Sequence, residues 1–260
     1  MFQEIQVKTA LEYEIQPDNA SVITIDAYNG CQIQCPYCFQ MDNSEWSKKI
    51  YVRTNIADVL KEDLQVMKNS EQELYIGSLS DPYMDIEKEY MLTRRVLEVL
   101  KDPPHPVFIT TKAVNGLILR DLDLLKSFNT KPEIILGLSH IDEAGKGASH
   151  HNIQVANQLF EAGIAVKVFI TPVLPYIMNV DEMVSAIHPK IDIYIDKLRV
   201  FNQGHQNEKM YEWVKKHYPI YEEAYRRILF EKDEKYYSEL FEKYRNNARI
   251  TFMSELWNEN

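Results

Sequence analysis

All three cysteines of this 260-residue chain, Cys31, Cys35 and Cys38, lie in one stretch of eight residues. Their spacing, C-x3-C-x2-C, allows three thiolates to surround one metal centre. Because there is no fourth cysteine, that centre cannot be an all-cysteine site. Cuboidal 4Fe-4S clusters are usually held by four thiolates, so one iron would lack a protein ligand. The pattern therefore predicts a cluster with one iron open to a small molecule.

Two other uses of the cysteines are chemically possible. Zinc accepts three cysteines and one histidine, but the nearest histidine, His105, is far downstream, and short zinc motifs usually bring their ligands in compact pairs. The thiols could also be buried as small apolar groups. The polar neighbours Gln32 and Gln34, with Asn29-Gly30 before them, indicate a tight loop instead. Cluster ligation is the favoured interpretation.

Charge and hydropathy narrow the class of protein. The formal charge is −10, which disfavours nonspecific binding to nucleic acid or anionic membranes, although a local basic cleft is compatible with it. No apolar stretch reaches membrane-spanning length, and the N-terminus lacks the basic and apolar regions of a secretory signal. An odd, clustered set of cysteines fits a reducing compartment. We expect a cytoplasmic protein without a membrane partner.

Apolar strands alternate with helical segments along most of the chain. This alternation predicts an α/β fold with a parallel sheet covered by helices. The first predicted helix is capped by Asn55 and places Ile56, Val59, Leu60, Leu64 and Met67 on one face. The predicted strands are Ser21–Asp26, Glu73–Gly77, Val107–Thr111, Glu133–Leu138, Ala165–Thr171 and Ile193–Phe201.

The ends of the chain differ in composition from this α/β region. Residues 1–20 are predicted as an N-terminal arm, 21–201 as the α/β region, and 202–260 as a helical extension within a single domain. The extension is rich in tyrosine. Its aromatic rings could form a lid over a planar substrate, but helical spacing of Tyr225, Ile228 and Leu229 favours an amphipathic bundle.

Polar residues follow several of the predicted strands. Ligands of parallel sheets bind beyond the carboxyl ends of the strands. The second strand is followed by Ser80-Asp81, the third by Lys112, and the fourth by Ser139. A lysine pairs with carboxylates, and serine hydroxyls bind ribose or amino-acid groups. These residues and the cysteines are therefore predicted to share one rim.

Several motifs resemble the spore photoproduct lyase-like branch of the radical S-adenosylmethionine (SAM) superfamily. The resemblance covers roughly residues 24 to 175. It rests on the cysteine loop and on four further segments, Gly77-Ser-Leu-Ser-Asp-Pro-Tyr-Met-Asp-Ile-Glu87, Leu92-Thr-Arg-Arg95, Ile109-Thr-Thr-Lys112 and Arg120-Asp-Leu-Asp-Leu-Leu125.

That resemblance implies a fold, cofactors and a reaction. The fold would be a partial (β/α)6 TIM-type barrel, and SAM would chelate the open iron of a 4Fe-4S cluster. Ser80, Lys112 and Ser139 would contact SAM, and Tyr37 would lie against its adenine. An electron from a reductant such as flavodoxin or ferredoxin would cleave SAM to methionine and a 5′-deoxyadenosyl radical, which abstracts hydrogen from a substrate.

Two departures from the family pattern bear on the reaction. Spore photoproduct lyase has a hydrogen-donating cysteine where this chain has Leu79, and no further thiol remains for a radical relay or an all-cysteine auxiliary cluster. The lead-in to the cysteine loop also lacks the arginine usual before Gly30. Tyr83, Tyr176 or the product itself is then expected to return the hydrogen.

These observations support a leading hypothesis and two alternatives. The leading one is a radical SAM enzyme acting on a small molecule or peptide. The first alternative, within the same class, repairs or modifies nucleic-acid bases. The second, from another class, is a noncatalytic zinc or iron–sulfur module that serves as a scaffold or sensor.

Overall fold

A computed structural model describes residues 1–15, 21–43, 45–46, 48–67, 71–138, 149–202 and 204–253. Its strands are β1 (Phe2–Ile5), β2 (Glu12–Ile15), β3 (Ser21–Ile25), β4 (Tyr28–Asn29), β5 (Ile50–Arg53), β6 (Leu74–Ile76), β7 (Val107–Thr111), β8 (Glu133–Gly137), β9 (Ala165–Ile170), β10 (Asp192–Ile195) and β11 (Ile250–Phe252). Its helices are α1 (Ile56–Val66), α2 (Glu87–Tyr90), α3 (Leu92–Leu100), α4 (Leu122–Ser127), α5 (Ser149–Glu161), α6 (Val180–Ala186), α7 (Gln206–His217), α8 (Glu222–Glu231) and α9 (Lys235–Tyr244).

Over the described residues, eight strands form one sheet in the order β11-β10-β9-β8-β7-β6-β3-β2, and three form a second in the order β1-β5-β4. In the larger sheet β3, β6, β7 and β8 pair in parallel, as do β9, β10 and β11, whereas β2 is antiparallel to β3. Strands that alternate with helices in this order confirm the predicted α/β fold of a partial (β/α)6 barrel.

A row of four isoleucines crosses the larger sheet. Ile25 pairs with Ile76, Ile76 with Ile109, and Ile109 with Ile134. None of the four is more than 3% exposed. Burying one such side chain stabilises the fold by about 1.5–3 kcal/mol, so this row fixes the register of four neighbouring strands.

Contacts divide the chain into two compact units. The first comprises Met1–Ile33, Glu45–Leu136 and Gln158–Val166, and its helix α1 buries Ile56, Leu60 and Leu64 of the predicted apolar face. The second comprises Gln34–Ser44, Gly137–Asn157 and Lys167–Asn260. Helix α8 of the second unit buries Tyr225, Ile228 and Leu229, as expected for an amphipathic bundle.

The structure corrects three details of the sequence-based prediction. Asn55 precedes α1 but does not cap it, because its side chain binds the backbone N–H and C=O of Val7, each at 2.8 Å. The N-terminal arm contains two strands, β1 and β2, and the C-terminal extension ends in β11. Strand β10 ends at Ile195, six residues earlier than predicted, where polar Asp196 and Lys197 follow.

No helix in the described residues is long and apolar enough to span a bilayer.

A buried ionic network joins the segments that follow β6 and β7. Glu87 is 0% exposed and accepts hydrogen bonds from the Tyr28 hydroxyl at 2.5 Å and the Arg120 guanidinium at 2.7 Å. Arg120 also pairs with Asp121 at 2.8 Å, and Arg94 reaches the same carboxylate at 2.9 Å. Several charged residues of the family-like motifs are thus committed to holding the first unit together.

We predict that Glu87→Gln lowers the free energy of unfolding by about 3 kcal/mol, because breaking a buried ion pair leaves the partner charge uncompensated. Urea denaturation measures the change. Glu89→Gln on the same helix is the matched control, since Glu89 is exposed and its replacement should change stability by no more than about 0.5 kcal/mol. Equal stability of the two variants would contradict the structural role of the network.

Candidate functional site

The carboxyl ends of β3, β6 and β7 lie side by side in the first unit because these strands are parallel neighbours. Residues just beyond them are Asp26, the segment Gly77–Asp81 and Lys112. This edge is where ligands of parallel α/β sheets bind. The structure therefore brings Ser80 and Lys112 to the predicted rim.

One buried carboxylate joins two strand ends at this rim. Asp81, 8% exposed, accepts hydrogen bonds from the backbone N–H of Tyr83 at 2.9 Å, of Lys112 at 2.6 Å and of Ala113 at 3.1 Å. The hydroxyl of Thr111 adds a fourth donor at 2.8 Å. Burial raises the pKa of Asp81, and these donors counteract the rise. The backbone of Lys112 is consequently fixed to the loop that carries Ser80.

Gly77 makes the turn out of β6 possible. Its φ of +83° is a left-handed conformation that favours glycine, and an added Cβ would lie 2.3 Å from the Thr110 carbonyl oxygen. The loop between Gly77 and Asp81 therefore packs directly on β7. Ser80 in this loop is 2% exposed, and its hydroxyl has no hydrogen-bond partner among the described residues. An unmatched buried hydroxyl is a feature of sites that bind a polar ligand.

The first cysteine is held in the first unit by a tight backbone approach. The Cys31 N–H donates to the carbonyl of Trp46 at 3.1 Å, and the adjacent Gly30, with φ +102°, has no room for a Cβ because the Lys49 carbonyl oxygen would lie 2.4 Å away. Gln32 is anchored through its N–H to the Met84 sulfur at 3.0 Å. These contacts fix the start of the loop.

The other two cysteines belong to the second unit. The N–H of Cys38 donates to the Cys35 carbonyl at 3.1 Å, which closes a turn with Tyr37 between them. Burial raises the pKa of Tyr37 well above its usual value, and interactions with the Cys35 and Cys38 side chains raise it further. A hydrogen bond between the Tyr37 and Cys35 side chains is one cause of this rise. Such bonds tune metal-bound thiolates.

The residues present fit an iron–sulfur cluster by donor type. All three cysteines are half-buried and not in disulfides, and Tyr37 lies between two of them in the loop. In the described part of the chain, no three His, Cys, Asp or Glu side chains are already grouped around a common metal position. The assembled coordination geometry therefore stays a prediction, as do the roles of Cys31, Cys35 and Cys38.

A buried carboxyl group that sequence reasoning missed lies beside the rim. Asp26 directly follows β3 and is 3% exposed. Neither of its carboxylate oxygens makes a well-formed hydrogen bond within the described residues. The pKa of Asp26 is raised to about 7. Burial is the main cause of the rise, and it outweighs the nearby Arg53 guanidinium and the backbone N–H groups of Ser80 and Leu79, which lower the pKa. A single acidic residue at a strand end carries no distinctive sequence signal.

The predicted hydrogen donors occupy different environments. Tyr83 is 1% exposed, and burial and then the charges of Asp121 and Glu87 raise its pKa well above the usual value. Tyr83 thus borders the ionic network of the first unit. Tyr176, in the second unit, is 47% exposed. Ser139 lies outside the described residues, so its predicted contact with SAM stays a prediction.

Comparisons with known sequences give relatives without assigned functions. No protein-family model matches the chain. An uncharacterized protein of Methanocaldococcus jannaschii is 29% identical over 183 residues, which are 65% of this chain and 67% of that protein. An uncharacterized protein of Mycobacterium tuberculosis is 26% identical over 208 residues, which are 72% of this chain and 60% of that protein. The matches thus span roughly two thirds of the length of these relatives.

Solved structures share the fold at low sequence identity. A variant of spore photoproduct lyase has a TM-score of 0.62 at 14% identity, covering 84% of this chain and 66% of that chain. Spore photoproduct lyase complexed with dinucleoside spore photoproduct has a TM-score of 0.56 at 13% identity, with the same coverage. Streptococcus suis SuiB bound to S-adenosylmethionine has a TM-score of 0.53 at 13% identity, covering 90% of this chain and 52% of that chain. The resemblance noted in the motifs is confirmed at the level of the fold.

We predict that Asp26→Asn stabilises the protein more at pH 8 than at pH 5. Burial raises the pKa of Asp26 in the folded protein to about 7, against an ordinary value of 3.8. Between these two pH values the folded protein therefore holds a proton that the unfolded chain has lost. Stability of the unsubstituted protein therefore falls as pH rises from about 4 to 7. The variant should gain roughly 2–4 kcal/mol at pH 8, because one pKa unit is worth about 1.4 kcal/mol.

Urea denaturation at the two pH values checks this expectation. Asp58→Asn serves as the control because the Asp58 side chain is 83% exposed. The same stability change at both pH values in the Asp26 variant would show that this carboxyl group does not titrate as its burial requires.

Proposed function

We propose that this chain is a radical SAM enzyme that binds a 4Fe-4S cluster through Cys31, Cys35 and Cys38. The proposal is carried by the three-cysteine loop on a chain that has the fold of spore photoproduct lyase. When bound, the cluster and SAM together supply a 5′-deoxyadenosyl radical, which abstracts hydrogen from the substrate. The cofactors provide this chemistry, and the protein contributes position and exclusion of water.

The rim residues are proposed to hold SAM. The ammonium group of Lys112 would pair with the SAM carboxylate, because Asp81 fixes the Lys112 backbone at the end of β7. Ser80 would donate or accept a hydrogen bond through a hydroxyl that lacks a protein partner in the described residues. Ser139 and Tyr37 complete the proposed set, with Tyr37 against the adenine. Two observations support this assignment: the Ser80 hydroxyl has no partner in the described residues, and the Asp81 carboxylate accepts a hydrogen bond from the backbone of Lys112.

The substrate is proposed to be a small molecule or peptide. Leu79 stands where spore photoproduct lyase has its donor cysteine, and the three cysteines are assigned to the cluster. No cysteine thiol therefore remains to return a hydrogen atom to the substrate radical. Tyr176, Tyr83 or the product radical itself would take that role, and the open position of Tyr176 favours it over the buried Tyr83. A one-electron donor of the flavodoxin or ferredoxin kind and a cytoplasmic location complete the proposal.

A second candidate function is repair or modification of nucleic-acid bases. One observation favours it, the shared fold with spore photoproduct lyase complexed with dinucleoside spore photoproduct. The net charge of −10 opposes it, since the phosphate backbone attracts basic surfaces. A noncatalytic metal scaffold is the candidate from another class. Zinc without iron or sulfide would indicate a zinc scaffold, and a bound cluster that never cleaves SAM would indicate an iron–sulfur scaffold.

We predict that Cys35→Ala abolishes SAM cleavage. After anaerobic reconstitution with iron and sulfide, reduction with dithionite in the presence of SAM should release 5′-deoxyadenosine, measured by chromatography. The variant should release none and should also lose iron, because two thiolates hold a cluster poorly. Gln34→Asn is a matched control in the same loop, since asparagine tolerates the φ of +52° at this position. Zinc without iron or sulfide in the unsubstituted protein would overturn the enzyme proposal in favour of a scaffold.

We predict that Lys112→Ala weakens SAM binding by about tenfold or more, since charge-assisted hydrogen bonds contribute about 1.5–3 kcal/mol. Calorimetric titration of the reconstituted protein measures the affinity, and the cluster absorbance should not change. Lys88→Ala is the control because Lys88 forms an exposed ion pair with Asp85, with its side chain 56% exposed. Unchanged affinity in the Lys112 variant would refute its assignment to SAM.

A further inference from the structure

Buried polar atoms without partners gather beyond the ends of β3 and β6 in the first unit. Both carboxylate oxygens of Asp26, the Nε of Arg53 and the hydroxyl of Ser80 lack a hydrogen-bond partner within the described residues. Asp26 is 3% exposed, Arg53 6% and Ser80 2%. We call these three residues the polar trio. They hold four of the ten such side-chain atoms in the described part of the chain, so unmet hydrogen bonding is concentrated at one place.

Backbone contacts bring the residues of the polar trio together. The Arg53 guanidinium donates a hydrogen bond to the carbonyl oxygen of Asp26 at 3.1 Å. Burial is the main cause of the raised pKa of Asp26, and the Arg53 charge and the N–H groups of Ser80 and Leu79 are near enough to counteract it. Because β3 and β6 are parallel neighbours, Asp26 and the loop that carries Ser80 leave the sheet side by side. The unpartnered atoms of the trio are therefore neighbours.

The polar trio does not satisfy its own hydrogen bonds. Arg53 uses its Nη2 to pair with Glu12 at 2.6 Å and its Nη1 to reach the Asp26 carbonyl, whereas its Nε–H is unused. Buried polar atoms in folded proteins nearly always have a partner, which is either another protein group or an ordered water. An internal water makes about two to four hydrogen bonds to such groups. A carboxyl group, a guanidinium and a hydroxyl together supply that number.

We propose that one internal water molecule bridges Asp26, Arg53 and Ser80, and that Asp26 is thereby a positioning residue for the Ser80 hydroxyl. This inference goes beyond the proposed function by naming an internal hydration site. It rests on that function only for the role of Ser80 toward SAM. The site takes water rather than a substrate group, because protein encloses all of its polar atoms.

The chemistry of the three side chains fixes the direction of the hydrogen bonds. A guanidinium has donors only, so the water must accept from the Arg53 Nε–H. The two hydrogens of the water are then available to the Asp26 carboxyl group and to the Ser80 oxygen. A serine whose oxygen accepts from the water keeps its own O–H for a different acceptor. Ser80 is accordingly a donor toward SAM, which offers carboxylate and ribose oxygens as acceptors.

A crystal structure of the protein without SAM tests the hydration site directly. Density for one ordered water is expected within about 3.2 Å of the Asp26 carboxyl group, the Arg53 Nε and the Ser80 Oγ. Asp26→Leu replaces the carboxyl group by an apolar group of similar shape, and that density should be absent from its crystals. No ordered density at this position in the unsubstituted protein, or a direct hydrogen bond between Asp26 and Ser80, would overturn the proposal.

Calorimetric titration with SAM tests the positioning role. Ser80→Ala should weaken SAM binding by about three- to tenfold, which is the contribution of one hydrogen bond. Asp26→Leu should weaken binding by a similar factor, because the Ser80 hydrogen is then no longer oriented by the water. Asp26→Asn should bind SAM within about twofold of the unsubstituted protein, since its amide oxygen still accepts from the water. Such rescue by the conservative variant separates positioning from the filling of space, and equal affinity in all Asp26 variants would refute the positioning role.

A double variant shows whether Asp26 acts through Ser80. Asp26→Leu combined with Ser80→Ala should bind SAM no more weakly than Ser80→Ala alone. Losses that multiply would give Asp26 an independent role and contradict the proposal. Leu64→Ala is the control for reduced stability, because it removes a buried side chain of α1. It should lower the thermal midpoint and leave the affinity for SAM unchanged.

The two measurements keep this inference separate from the proposed function. SAM binding and cleavage by a protein that lacks the bridging water would remove the hydration site and leave the enzyme proposal intact. A bridging water in a protein that does not bind SAM would confirm the hydration site and overturn both the enzyme proposal and the positioning role of Asp26.

Discussion

The hydrogen bonds of the Asp81 carboxylate are the constraint on which the candidate site depends. A carboxylate is costly to bury unless its oxygens accept hydrogen bonds. Here four donors converge on it, one from the loop after β6 and three from the end of β7 and the residues that follow it. Because three of those donors are backbone N–H groups, the bonds fix the paths of the loops themselves. These bonds therefore determine the backbone positions of Ser80 and Lys112. The backbone of the rim is thus fixed before any ligand binds.

The ionic network around Glu87 fixes the segment that follows Asp81 in the chain. The segment that contains Asp81 continues into α2 and α3, and Glu87 ties it to Tyr28 before the cysteine loop and to Arg120 after β7. Charged residues of the family-like motifs therefore serve the scaffold, while Ser80 and Lys112, which are less distinctive in sequence, follow β6 and β7 at the rim. This division explains why the motifs identify the fold clearly and the substrate poorly.

Much of the fold was predictable because its strands are apolar and regularly spaced. Strand β7 occupies the predicted residues, and α1 buries most of the predicted face. The strands β1 and β2 were missed because short, exposed edge strands such as Phe2–Ile5 lack a period-two pattern. The burial of Asp26 and Tyr83 depends on contacts far apart in sequence. For the same reason, the grouping of Asp26 with Arg53 and Ser80 appears only after the chain is folded.

Tyr237 on α9 donates a hydrogen bond to the Val173 carbonyl and accepts one from the Leu198 N–H, both at 3.2 Å. These two bonds limit how the sequence of this protein can change. The phenol group of Tyr237 thus links α9 to the loop after β9 and to the loop after β10. Helix α9 therefore cannot be exchanged as an independent module. A homologue that altered α9 would have to rebuild the loops after β9 and β10 at the same time. Sequence change in this part of the chain should accordingly be coordinated between α9 and these two loops.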